Sequence, residues 1–244
     1  MSGELARRDE VGDLVARLSG ADLDRRERGR LLLRLSGLLT WGARVAGARA
    51  AVSGRWLSQA VTDIAPHIPV RDLLTLRQHH GGLSGDELAE ALVTTAARTT
   101  AAIGAAGGAL ASAEMAAPPA LLAAPVQLAA ETLAVIAVEL KLVAELHVVH
   151  GRSPVGSRAQ VATAYLMSWA AKRGIDVSGG PPSVASVLGT AARSQLRSRV
   201  LRRLGRNVTT LAPFLAGAVA GAELNRRETR SLGDKLRGDL RRGR

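Results

Sequence analysis

The chain has 244 residues, 47% of them hydrophobic and 2% aromatic, with no cysteine. Its 33 basic and 21 acidic residues leave a formal net charge of +12. That length bounds it to one large domain or a domain with appendages; the lack of cysteine excludes disulfides, thiolate metal sites and a cysteine nucleophile; and the charge points to an anionic partner: nucleic acid, acidic lipid or an acidic protein.

A core with so few aromatics must be built from Ala, Leu and Val, which suits close-packed helices. No alternating β-branched run occurs, so the expected fold is all-α: a multi-helix bundle around an Ala/Gly-rich helical hairpin, with no sheet. The opening MSGELARRDEVGDLV has no apolar h-region, so no secretory signal is expected.

In chain order, residues 3–19 read as a short amphipathic helix carrying Leu5, Val11, Leu14, Val15 and Leu18, ended by Gly20. Asp22 or Asp24 suits the cap of the next helix. That helix is expected from Asp24 to about Ile64, kinked at its glycines. Its apolar stripe is Leu31, Leu35, Leu38, Val45 and Val52. Arg30, Arg34, Arg44, Arg49 and Arg55 lie largely off the stripe, with Trp41 and Trp56 among them. A cationic amphipathic helix with tryptophan is the pattern of an interfacial membrane helix. The same pattern also describes a bundle helix with a solvated basic face.

Pro66 and Pro69 mark a linker, and a short helix is expected from Val70 to His80, before Gly81-Gly82. The central hairpin follows. Ser84 and Glu87 have the spacing of a capping box. Beyond Arg98 the side chains become small, and Gly104 and Gly108 form a G-xxx-G pair that admits a second backbone. This is either a tight crossing in a soluble bundle or a lipid-buried one. Pro118, Pro119 and Pro125 break the pattern. A second arm is expected from about Pro125 to His150, stopped by Gly151.

The hairpin reads as non-spanning. A crossing needs about 20 apolar residues. The longest uncharged run, Met115 to Ala130, falls short, and Glu131, Glu139, Lys141 and Glu145 recur through the second arm. Ser157 suits the cap of a helix over 158–173 with Val161, Tyr165, Leu166 and Trp169 inward, and Gly174 ends it. Residues 176–182 read as a Gly/Pro loop. Arg193, Arg197, Arg199, Arg202, Arg203 and Arg206 then crowd one helix. The small apolar run Leu211 to Leu224 holds a second G-xxx-G pair, Gly217 and Gly221, suited to pack on the Gly104/Gly108 ridge. From Asn225 the chain is charged and is expected to fray.

The pattern LAPFLAGAVAGAELNRRETRSLG carries Pro213, Gly217, Gly221, Asn225, Thr229, Arg230 and Gly233. It resembles the closing segment of the EcsC family, and Pro125 to Gly151 is similar to that family's middle helix. The resemblance covers roughly Leu88 to Gly233. It implies a membrane-associated protein linked to a transporter system, and no catalytic constellation carries over. His147 and His150 stand where the family often ends in Tyr-Gly. The resulting division is 1–65, basic amphipathic N-terminal helices; 66–233, an EcsC-like helical core; and 234–244, a basic C-terminal tail.

Little in the sequence points to chemistry. His147 and His150 share a helix face, but neither HExxH nor a Glu-x-x-His pair accompanies them, so no metal or other cofactor is expected. His79-His80 reads as a helix end. There is no G-x-S-x-G elbow and no Walker A motif. The expectation is a non-enzymatic protein at the cytoplasmic, inner face of a membrane, bound to an anionic lipid surface or an integral membrane protein. Its anion-binding set would be Arg30, Arg34, Trp41, Arg44, Arg49, Arg55, Arg193, Arg197, Arg199, Arg202, Arg203 and Arg206. Its helix-packing set would be Gly104, Gly108, Gly217 and Gly221. The rival is a nucleic-acid-binding helical protein using the C-terminal arginines, or a soluble scaffold. A small-molecule partner and an enzyme rank last, and the oligomeric state stays open.

Overall fold

The computed structural model describes residues 2–46, 55–115, 124–174 and 213–243, with side chains described for 6–40, 60–109, 126–174 and 218–243. Among these residues the fold is all-α: eight helices and no strand. They are α1 (Ser2–Leu18), α2 (Arg25–Ala46), α3 (Arg55–Ile64), α4 (Leu73–His79), α5 (Gly85–Met115), α6 (Ala124–Val149), α7 (Arg158–Lys172) and α8 (Pro213–Arg242), with a 3-10 turn at Ala65–His67.

The punctuation follows the sequence. Asp24 accepts from the Glu27 amide at 2.8 Å and so caps α2. Ser157 and Gln160 form a reciprocal capping box at α7. At the end of α6, Gly151 takes φ +65° and the Arg152 amide donates to the His147 carbonyl at 2.8 Å. That six-to-one bond satisfies a last-turn carbonyl, and the left-handed angle explains the glycine. The long helix expected from Asp24 to Ile64 is helical at both ends, in α2 and α3; residues 47–54 lie outside the described residues, as do Pro118 and Pro119 of the corner.

Helix α6 is the axis of the bundle. Every residue from Leu128 to Leu140 is buried, because the helix is apolar on all sides and must be surrounded. It packs against α1, α2, α3, α5, α7 and α8. Helices α5 and α6 form the expected hairpin and run antiparallel: Gly107 meets Glu131 near the corner, while Leu92 and Leu142 line one cleft at the far end.

The most extensive helix pairing is between α5 and α8. It runs antiparallel and in register over its length, with Gly104 on Gly221, Thr100 on Asn225, Val93 on Gly233, Glu90 on Arg237 and Asp86 on Arg241. The frayed tail expected from Asn225 is therefore corrected. Asn225, Thr229, Leu232, Gly233, Leu236, Arg237 and Leu240 are buried along one stripe of α8, and the division expected at 233/234 falls inside one continuous helix. Arg237 and Arg241 of this segment find their partners, Glu90 and Asp86, about 150 positions earlier in the chain.

Candidate functional site

Helix α2 has one apolar face and one basic face. Leu31, Leu32, Leu35 and Leu39 turn into the core, while Arg26, Arg30, Leu33, Arg34 and Gly37 are exposed on the other side. Arg34 donates to Glu10 of α1 at 2.5 Å, across water-exposed surface. Such a pair contributes about 0–1 kcal/mol and restrains the side chain little. Trp41 and Arg44 follow on α2 and Arg55 begins α3, but their side chains lie outside the described residues. So do Arg49 and the whole C-terminal set, Arg193, Arg197, Arg199, Arg202, Arg203 and Arg206.

One arginine of α2 behaves differently. Arg28 is 1% exposed. Its guanidinium donates to the carbonyls of Leu18 at 3.0 Å, Gly20 at 3.3 Å and Leu23 at 3.4 Å. These are carbonyls at and just beyond the end of α1, where a cation meets the negative end of the helix dipole. Burial pushes the Arg28 pKa down, with Glu27 acting against it. Arg28 is a structural cap, on the same buried face of α2 as Leu31, Leu32 and Leu35.

Of the four glycines, Gly104 and Gly221 lie against each other. A Cβ on Gly221 would lie 2.6 Å from the Gly104 carbonyl oxygen, so the two backbones touch. Gly107 instead faces the Glu131 carboxylate, with a Cβ there 2.9 Å from Glu131 Cδ. Gly217 lies in α8 ahead of the described side chains. Gly108 is buried in α5.

Glu131, Glu139 and Glu145, charges that argue against a lipid crossing, all lie on α6. The structure makes them buried connectors. Glu131 accepts from Asn225 Nδ2 at 3.4 Å, and that same nitrogen donates to the Thr100 carbonyl at 3.1 Å. Glu139 accepts from Trp169 Nε1 at 2.9 Å, from Thr229 Oγ1 at 2.9 Å and from Arg173 Nε at 3.2 Å, with a second Arg173 bond to its other oxygen. Glu145 accepts a two-pronged pair from Arg71 at 2.8 and 2.9 Å, and a bond from Lys141 at 2.7 Å. Glu131 thus ties α6 to α8, Glu139 ties it to α7 and α8, and Glu145 ties it to the segment before α4; breaking a buried ion pair such as those of Glu139 and Glu145 costs about 3–5 kcal/mol.

The Glu145 triad sits in a cleft of about 270 Å³ between α1, α5, α6 and the segment before α4. Asp22, Thr95, Thr99 and His79 also line it. Lys141 donates to the Pro69 carbonyl at 2.6 Å as well as to Glu145. Burial lowers the Lys141 pKa against the opposing pull of Glu145, while the Glu145 bond raises that of Arg71. Both oxygens of Glu145 already accept from cations, so the cleft is braced shut by its own charges.

His147 and His150 donate from Nδ1 to the carbonyls of Val143 at 2.7 Å and Leu146 at 2.9 Å. A carbonyl can only accept, which places the proton on Nδ1 in both rings. The His147 ring tilts against Tyr165, centroids 5.4 Å apart. Among the described residues no group of three His, Cys, Asp or Glu residues could hold a metal ion. No described helix is long and apolar enough to cross a membrane.

These features define an all-α bundle strung on a buried, glutamate-bearing central helix, with a basic outer face on α2. Comparison with protein-family models, curated proteins and solved structures finds no match for the chain.

Proposed function

We propose that this is a non-enzymatic helical protein that lies peripherally on an anionic membrane surface, or on a membrane complex, at its inner face. The observation that carries the reading is on α2: Leu33 is 48% exposed, between Arg30 and Arg34, on the face opposite the buried leucines. Each basic side chain near an acidic leaflet adds about 1 kcal/mol, and burying a leucine adds up to about 3 kcal/mol. The EcsC resemblance, with that family's membrane association, belongs to this same proposal. On α8, Arg237 is turned inward and pairs with Glu90 of α5, so it is not part of this surface.

The test is co-sedimentation with vesicles of phosphatidylglycerol and phosphatidylcholine, with pure phosphatidylcholine vesicles and with duplex DNA, each across a salt series. Capture on the acidic vesicles, weakening with salt and reduced in an Arg26→Glu/Arg30→Glu variant, is expected. Capture by DNA but not by acidic vesicles would replace this reading with the nucleic-acid one; capture by neither would leave a soluble scaffold.

A further inference from the structure

We propose that helix α4 and the α6–α7 connection together form a lipid-inserting tip. This rests on the membrane reading above and names the part of the molecule that enters the bilayer. Val155, in the sequence RSPVGS between α6 and α7, is 100% exposed. In and before α4, Leu74 is 67% exposed, Val70 42% and Leu73 41%. Helix α4 buries only Leu76 and turns both leucines outward.

Both segments are fastened to the C-terminal end of α6. The start of α4 is held by Arg71 on Glu145 and by Lys141 on the Pro69 carbonyl. The α6–α7 connection leaves the same end through the Gly151 turn. The cleft lined by Gly20, Asp22, Arg71 and His79 brings the start of α2 to this end too. The start of α2 therefore lies at the same end of the bundle as the tip.

Charge complementarity selects the occupant. Arg77, Arg152 and Arg158 are exposed around the apolar residues, and no ion pair among the described residues involves them. Asp72, at the start of α4, is occupied as its cap, accepting from the Thr75 amide and hydroxyl at 2.9 Å. A protein partner needs a complementary patch of about 800 Å² per side. Apolar side chains on two protruding connections, ringed by arginine, instead suit a fluid anionic bilayer, in which the apolar tip enters the acyl boundary and the cations stay at the headgroups.

The chain has no cysteine, so Leu74→Cys and Val155→Cys each give a unique site for a solvatochromic fluorophore, with Ser231→Cys as control. With phosphatidylglycerol vesicles carrying a nitroxide on the acyl chain, a blue shift and quenching are expected at 74 and 155 and not at 231. Leu74→Asp and Val155→Asp should each weaken vesicle partitioning about tenfold. If the parent protein sediments with the vesicles while both probes report water, this inference is overturned and the membrane reading stands. If the parent protein is not captured, both fall. A blue shift that grows with protein concentration in the absence of vesicles would assign the tip to a second copy of the chain and overturn the lipid occupant.

Discussion

Replacing Gly104 with alanine tests the α5–α8 contact most directly. In an ordinary helix interior the change should stabilise, because glycine costs about 1 kcal/mol against alanine. Here the new methyl would lie 2.5 Å from Asn225 Nδ2 and 2.6 Å from the Gly221 carbonyl carbon. The backbone of α8 cannot yield at one point only, since the two helices are in contact from Gly104 to Asp86. Overpacking of this kind costs about 1–3 kcal/mol. Moving α8 outward also strains the Asn225 bonds to Thr100 and Glu131, and a buried polar group left without its partner costs about 1–3 kcal/mol more. Against the gain of about 1 kcal/mol, the expected net effect of Gly104→Ala is a loss of about 1–5 kcal/mol. Gly37→Ala supplies the contrast: nothing lies within 4 Å of a Cβ there, in an exposed stretch of α2, so it should stabilise by about 0.5–1 kcal/mol. Both are read from guanidinium unfolding followed by far-UV circular dichroism. Gly221→Ala combined with Gly104→Ala should cost less than the sum, because one separation relieves both clashes. A Gly104→Ala protein as stable as the parent would refute the close crossing.

Two further outcomes follow from the buried polar groups. Glu139→Ala leaves Arg173, Trp169 Nε1 and Thr229 without their acceptor and should destabilise by about 3–5 kcal/mol, with Glu139→Gln less severe because an oxygen remains for Trp169. Denaturant midpoints measure it, and a loss below about 1 kcal/mol would show that the pair is not formed as described. Burial holds the pKa of His147 below the ordinary 6.5, helped by His150, Arg152 and Lys172 and opposed by the Val143 carbonyl. The unfolded chain therefore takes up more protons as pH falls through 6.5, so stability declines on acidification from there. His147→Gln should reduce that decline between neutral and mildly acidic pH, and an unchanged slope would contradict the burial argument.

Much of the local structure was legible because its causes are local. Asp24, Ser157 and Gly151 act on backbone groups a few residues away, and the start of α2, the start of α7 and the end of α6 followed from them within two residues or so. The inward face of α7, with Tyr165, Leu166 and Trp169, followed from helical spacing. The candidate lipid contact at Val155 was not legible, since one valine in a Pro/Gly turn carries no periodic signal. Nor was Arg28, which reads in sequence like any other basic residue of α2.

What the sequence determined by itself was the helical class, the apolar hairpin and the small-residue ridges, all of which depend on composition and on periods of three to four residues. What only the tertiary structure decided was the state of the charges. Glu131, Glu139 and Glu145 look like obstacles to burial until Asn225, Trp169, Arg173 and Arg71 are brought to them from other helices. Arg230, Arg237 and Arg241 look like a solvated tail until Glu90 and Asp86 arrive along α5. Electrostatic energy depends on distance in space, and separations of up to about 150 positions in the chain carry no record of it.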